Sequence, residues 1–301
     1  MNYVICGGSG FIGRALTDKW LADGHRLLLV GRKLPDSAHT DPRVQYATWD
    51  SLASDPHPAE GCDALVNLAG ATLNQHWSAS GKTSIHSSRL DTVAAAAKLV
   101  QSLSRKPSVV IQASAVGIYG TSADQTFDEA SPARVMDFPS EVVKEWEDAA
   151  EREYTGVRVV KLRTGVVLGN GGGAFRTMKL PYVFGVGGRI GSGRQWISWI
   201  HIDDVVSIID FCVNTPAISG PVNATAPAPV TNDEFGRTVG KVYGRPHWLP
   251  LPAFVLRLLL GELSQLVLEG QRVLPSKLTE HGFVFAYPTL EQALRQLKSN
   301  P

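Results

Sequence analysis

Only three cysteines occur in 301 residues: Cys6, Cys62 and Cys212. They are too few and too scattered for a disulfide framework or a cysteine-ligated zinc site. Reduced thiols in a cytoplasmic setting, with no metal, are the expectation. An excess of either charge is also lacking. Twenty-nine basic residues stand against 28 acidic ones, which gives no electrostatic reason to expect nucleic acid or a membrane surface as a partner. There is no long hydrophobic run. The most apolar late segment, FVLRLLLGELSQLVL (254–268), is interrupted by Arg257 and Glu262, and is too short and too charged to span a bilayer. The opening MNYVICGGSG has neither the basic start nor the long apolar core of a secretory leader. Internal repeats and low-complexity tracts are absent.

What is present is enough apolar material, 44% of residues, to bury a sizeable core, which argues against disorder. The first 165 residues alternate short apolar runs with helical patterns. Strands are predicted at Tyr3–Cys6, Arg26–Val30, Val44–Trp49, Ala64–Asn67, Val109–Ala113 and Val157–Leu162. Helices are predicted at Ile12–Asp23, Ser80–Ser104 and Ser140–Glu153. That alternation predicts an α/β fold, a Rossmann-type doubly wound parallel sheet with helices on both faces. After Gly165 the rhythm breaks into glycine-rich loops, LGNGGGAF and GVGGRIGSGRQ. Helices follow near Asp203–Asn214 and at Asn232–Tyr243, Pro252–Leu260 and Leu290–Lys298. The expected organisation is a dinucleotide-binding domain over 1–165. A smaller, mostly helical substrate-side module covers 166–301, with the two interleaved.

The most informative stretch is YVICGGSGFIGRAL (3–16). Gly7, Gly10 and Gly13 follow a strand and open a helix, with Phe11 and Ile12 between the last two. Gly7 permits a tight turn, Gly10 lets the backbone approach a pyrophosphate, and Gly13 lets helix and strand pack closely. A helix N-terminus offers unpaired N–H groups and partial positive charge to phosphate. The second strand ends LLLVGRK, with Arg32 and Lys33 where an NAD site usually carries Asp or Glu. A carboxylate there would repel a 2′-phosphate, whereas a guanidinium can hold one in a fork. NADP is therefore the expected cofactor; the alternative for Arg32 and Lys33 is a solvated basic pair.

With these residues in view, the sequence resembles the short-chain dehydrogenase/reductase superfamily in its extended, epimerase-like branch. The matches are GGSGFIG (7–13), NLAG (67–70), SAVGIYG (114–120), LRTGVVLG (162–169) and WIHIDDVV (199–206). SRLDT (88–92) and GSGRQWISWIHIDD (191–204) are similar to the atypical, NADP-binding epimerase family proteins, a group whose substrate is undefined. The resemblance implies that Gly31 and Arg32 meet the adenosine 2′-phosphate. It places Asp50, closing the third strand, near the adenine or ribose. It implies that Leu68, Ala69 and Gly70 line the cofactor cleft, that Arg89 faces the cofactor from the long helix, and that Val167 lies on the nicotinamide side. For Arg89 the alternative is a surface helical arginine, and for Asp50 a turn or cap carboxylate.

In ordinary members Ser, Tyr and Lys cooperate on the substrate oxygen. Ser114 matches the serine, but the Tyr-x-x-x-Lys pair is missing. Ser140 and Lys144 have the spacing; a second register puts Pro139 and Val143 there. An alcohol is a far weaker acid than a phenol, whose pKa is about 10, so Ser140 is no substitute. Tyr119, five residues beyond Ser114, is the candidate proton donor, with a packed pocket-wall aromatic as the alternative. His201 is expected to be structural, and Asp203 or Asp204 to cap the next helix. The expected function is an NADP-binding, epimerase-like oxidoreductase acting on a nucleotide sugar or another small carbonyl compound. The alternative is a catalytically weak, NADP-bound regulatory or scaffold protein.

Overall fold

The computed structural model of the chain describes residues 1–35, 39–73, 75 and 77–300. It opens with strand β1 (Asn2–Cys6), helix α1 (Phe11–Ala22), strands β2 (Arg26–Gly31) and β3 (Val44–Thr48) and helix α2 (Trp49–Ser54). Strand β4 (Ala64–Asn67), the long helix α3 (Ala79–Ser102) and strand β5 (Val109–Ala115) follow. Next come β6 (Thr126–Phe127), α4 (Phe138–Glu153), β7 (Arg158–Thr164), β8 (Val166–Leu168) and α5 (Phe175–Val183). Then β9 (Trp196–Ile197), β10 (Trp199–His201), α6 (Ile202–Asn214), β11 (Gly220–Ala224) and β12 (Val230–Thr231). The chain finishes with α7 (Asn232–Tyr243), α8 (Ala253–Leu260), α9 (Gln265–Leu268), β13 (Arg272–Val273), α10 (Ser276–Glu280) and α11 (Leu290–Ser299).

Seven strands form one sheet in the order β11-β7-β5-β4-β1-β2-β3. The pairs β1–β2, β1–β4, β2–β3 and β4–β5 are parallel. The chain runs from β1 outward to β3, then returns to β4 on the other side of β1. This is the doubly wound topology that the strand–helix alternation predicts, and its switch point lies beside β1. Strand β4 is buried along its whole length, and β1 from Tyr3 onward, as strands covered on both faces must be.

The chain divides into two compact units. The first comprises Met1–Ser114, Val142–Leu162 and Val206–Pro221; the second comprises Ala115–Glu141, Arg163–Val205 and Val222–Pro301. In the first, Val4, Leu28, Leu65 and Val110 of the sheet pack with Val93, Ala97 and Val100 of α3 and with Trp146, Ala149 and Ala150 of α4. Each large apolar side chain so buried contributes about 1.5–3 kcal/mol. The helical spacing of Val142, Val143, Trp146 and Ala149 or Ala150 predicts this burial, and the structure buries all of them, both alanines included. In the second unit, Phe175 and Tyr182 of α5 join Trp199, Phe235, Val239 and the α11 residues Leu290, Leu294 and Leu297.

Two local bounds differ from the sequence reading. Helix α4 starts at Phe138 rather than Ser140, and its first turn is capped by Asp137. The Asp137 carboxylate accepts from Ser140 N at 2.9 Å, and Ser140 Oγ accepts in return from Asp137 N at 3.0 Å. Asp and Ser cap equally well, and Asp137 has the position directly before the helix, which makes the exchange a capping box. Strand β3 stops at Thr48, whose hydroxyl caps α2 through Ser51 N. Asp50 therefore lies in the first turn of a helix, not at the end of a strand.

Candidate cofactor and active site

The glycine turn is built by exclusion of side chains. Gly7 has φ +81°, and a Cβ there would sit 3.0 Å from the backbone of Leu68 and Ala69. At Gly13 a Cβ would meet Gly7 O at 2.4 Å and Gly8 Cα at 2.7 Å. Gly10 is different. Its φ of −72° and ψ of 173° suit any residue, and a Cβ would meet only Gly7 O, at 3.2 Å. A side chain at position 10 would need the turn to give by only a few tenths of an ångström, far less than at position 13. Gly10 is also the N-cap of α1, with no side-chain cap and no acidic residue in the first turn. The N–H groups of that turn, including those of Phe11 and Ile12, keep their positive end uncompensated.

Gly31 closes β2, and Arg32 and Lys33 follow, both exposed. Neither has a carboxylate partner among the described residues. Asp50 is exposed at the start of α2. Beyond β4, Leu68 N donates to Cys6 O at 2.9 Å, Ala69 N to Asn67 Oδ1 at 3.2 Å, and Thr92 Oγ1 to Ala69 O at 3.2 Å. Gly70 lies against the Arg89 side chain, which a Cβ would meet at 3.5 Å. Arg89 is not a surface arginine. It is buried, donates through Nη1 to Ile85 O at 2.8 Å and Ala71 O at 3.2 Å, and covers the Trp146 ring at 5.0 Å. Burial lowers its pKa to about 10. It faces no carboxylate among the described residues. A cation half-stripped of water and lacking a counter-charge makes this edge of the first unit receptive to an anion.

Ser114, near the end of β5, is buried and donates to Glu147 Oε1 of α4 at 2.6 Å. Glu147 Oε2 lies 3.3 Å from Lys161 Nζ on β7, and Lys161 also pairs with Glu151. The Ser114 hydroxyl thus donates to a buried carboxylate and keeps its oxygen lone pairs to accept a further hydrogen bond. Glu147 and Lys161 escape sequence reasoning because nothing local in KEWE or VVKL marks them as partners of a serine on another strand. Lys144 pairs with Asp148 one turn on, at 2.5 Å, and Ser140 is held by Asp137, so neither replaces the missing tyrosine and lysine.

Within the second unit, Tyr119 is fully buried. Its hydroxyl donates to Asn223 Oδ1 and accepts from Arg163 Nη1, both at 2.8 Å, while its ring stacks on Phe127. Burial pushes its pKa up to about 12. A buried phenol bonded on both sides within the protein matches the alternative reading of Tyr119, a packed aromatic, more closely than that of a proton donor. Tyr119→Phe is expected to cost about 1–3 kcal/mol by leaving Asn223 and Arg163 short of a partner, with cofactor affinity unchanged. Thermal unfolding beside a cofactor titration checks this, and lost turnover at unchanged stability would return Tyr119 to the chemistry.

Val167 lies on β8, paired with Ile200 of β10. His201 is buried, bonded to Gln296 at 2.9 Å and packed on Tyr287 at 4.0 Å, and burial lowers its pKa. Asp204 receives Ala286 N and Tyr287 N rather than capping α6. No group of metal-ligating residues occurs among the described residues. A cavity of about 410 Å³ lined by Asn2, Arg26, Arg43 and Glu60 opens at the amino ends of the strands, away from the carboxyl ends where ligands of such sheets bind.

Comparison with known proteins agrees with this architecture. The model of the NAD dependent epimerase/dehydratase family matches residues 3–223, and a domain of unknown function (DUF1731) matches 251–297. The epimerase family protein YfhF of Bacillus subtilis is 42% identical over 299 residues, covering 99% of this chain and 98% of its own. The structure of human epimerase family protein SDR39U1 with NADPH superposes with a TM-score of 0.92 at 38% identity, over 100% of both chains. MoeE5 in complex with UDP-glucose and NAD gives 0.78 at 17% identity, over 100% of this chain and 98% of that one, a likeness of fold alone. From the glycine turn through the sheet to β11, the chain belongs to the NAD dependent epimerase/dehydratase family.

Proposed function

We propose that this chain is an NADP-binding, epimerase-like oxidoreductase that acts on a small carbonyl or alcohol compound, nucleotide sugars included. The observation that carries the reading is Gly10: a bare position with an ordinary backbone conformation, less tightly hemmed in than Gly13, at a helix end with no side-chain cap. The residues fit the cofactor. The first turn of α1 would hold the pyrophosphate, Arg32 and Lys33 the 2′-phosphate, and Arg89 the edge near Leu68–Gly70. That SDR39U1 is described with NADPH supports the same choice. Three free, buried cysteines suit a reducing, cytoplasmic setting.

Such a cofactor, when bound, gives or takes a hydride at the substrate carbon. The protein's part is orientation. With its O–H donated to Glu147 Oε1, Ser114 Oγ is left to accept from a substrate hydroxyl. Tyr119 is closed off, so in this reading the proton that accompanies hydride comes from water. Simple carbonyl reduction tolerates that better than epimerisation, which needs an efficient acid and base at one carbinol.

The test is to identify the ligand that co-purifies with the protein by mass spectrometry, then to screen metabolites for redox change of that cofactor. NADP in the preparation and turnover of a carbonyl compound would support the proposal. A protein that takes up neither NADP nor NAD would defeat it. Tight NADP with no turnover across the screen would favour the cofactor-bound regulatory reading.

A further inference from the structure

The even charge of the whole chain conceals an uneven distribution. Residues 163–202 hold five basic residues, Arg163, Arg176, Lys179, Arg189 and Arg194, and no acidic one. Residues 235–261 hold four, Arg237, Lys241, Arg245 and Arg257, again with no acidic one. Both stretches belong to the second unit. Arg237 pairs with Asp233 and Lys241 with Glu291, while Lys179 covers the rings of Phe175 and Tyr243. Arg176, Arg189, Arg194, Arg245 and Arg257 are exposed and have no carboxylate partner among the described residues.

The same stretches hold large apolar side chains in solvent. Phe184 is 72% exposed, Trp248 64%, Phe254 69%, Leu258 83% and Leu259 73%. Of the eight residues of α8 only Leu256 is buried. Hydrogen bonds hold the two stretches side by side: Trp248 Nε1 to Gly185 O at 3.0 Å, Trp248 N to Gly187 O at 2.9 Å, Leu251 N to Arg189 O at 2.9 Å and Gly191 N to Leu251 O at 2.8 Å. Ala253, which starts α8, lies beside Gly191. The aromatic residues, the leucines and several of the unpaired arginines thus share one surface.

Single exposed leucines are ordinary, but a clustered set marks a contact surface. A second copy is a poor occupant. A two-fold interface sets a patch against itself, which would bring arginines onto arginines with no carboxylate in either stretch. A lipid surface with anionic headgroups answers both features: aromatic and leucine side chains enter the headgroup–acyl boundary and guanidinium groups meet phosphate. We propose that α8 and the paired stretches 184–191 and 248–251 form a face that docks the protein peripherally on membranes containing anionic lipid. No helix among the described residues is long and apolar enough to cross a membrane, and docking requires none. The expectation of no membrane partner came from net charge, which averages this asymmetry away.

Full-length protein would be sedimented with vesicles of phosphatidylcholine alone and of phosphatidylcholine with phosphatidylglycerol. The expected result is binding at least about 10-fold tighter to the anionic vesicles, weakened by salt. The variant L258S/L259S changes only solvent-exposed side chains, so its unfolding temperature should hold while vesicle binding falls about 10-fold or more. R245E/R257E should lose the preference for phosphatidylglycerol. The proposal is overturned if the protein ignores both kinds of vesicle, binds them equally, or binds them unchanged in L258S/L259S. It is also overturned if sedimentation velocity shows a dimer that L258S/L259S dissolves while vesicles are not bound, which would make the face a contact between copies.

Discussion

Gly10→Val is expected to fold nearly as the parent does and to lose dinucleotide binding by about 100-fold or more, a change of about 2.7 kcal/mol. Valine can take the φ of −72° and ψ of 173° found there. Its Cβ meets only Gly7 O, at 3.2 Å, so the backbone has to give by a few tenths of an ångström. The branched methyl groups then fill the space in front of the α1 N-terminus, where a pyrophosphate would rest. Gly13→Val is the control. Its Cβ would sit 2.4 Å from Gly7 O, and relief requires helix and turn to part, at a cost of about 1–3 kcal/mol or more. The two substitutions should separate: position 10 lowers affinity at a near-parental unfolding temperature, and position 13 lowers the unfolding temperature first. Thermal melts with NADPH titrations decide it. If Gly10→Val still takes up cofactor at parental affinity, the assignment of this turn is wrong.

NADPH is expected to bind more tightly than NADH, and Arg32→Ala to remove most of the difference. Charge-assisted hydrogen bonds to phosphate contribute about 1.5–3 kcal/mol, so the variant should lose about 10- to 150-fold for NADPH. NADH, which lacks the 2′-phosphate, should bind almost as before. Because Arg32 is exposed and has no carboxylate partner among the described residues, its removal leaves no buried charge behind, and stability should barely change. Added salt should weaken NADPH more than NADH. Equal affinities of the parental protein for the two cofactors would refute the preference.

What the sequence reveals here is what is encoded locally. The turn from Gly7 to Gly13, the strand alternation and the burial of α4 all follow from spacings of a few residues, and the structure shows each of them. The starts of α2 and α4 differ from the pattern by a residue or two, because Thr48 and Asp137 supply the caps there. The hydrogen-bond partners of Ser114 and Tyr119 are not legible in the sequence, because they are remote along the chain. Glu147 is 33 residues from Ser114, and Asn223 is 104 from Tyr119. No periodicity reports on a bond across such a distance. The arginine-rich stretches are plain in the sequence, yet a whole-chain total of 29 against 28 cancels them.

The division of the chain has a consequence for synthesis. The first unit needs Val206–Pro221 as well as its two earlier segments, so a nascent chain cannot complete it until the ribosome has passed Pro221. At about 5–20 residues per second this takes on the order of 10–40 s. Until Arg158–Thr164 emerges, β5 is left as an open edge beside strands already able to pair. Premature release before that point would yield a fragment with a sheet edge free to pair with another chain, and such fragments are expected to be substrates for chaperones rather than for refolding.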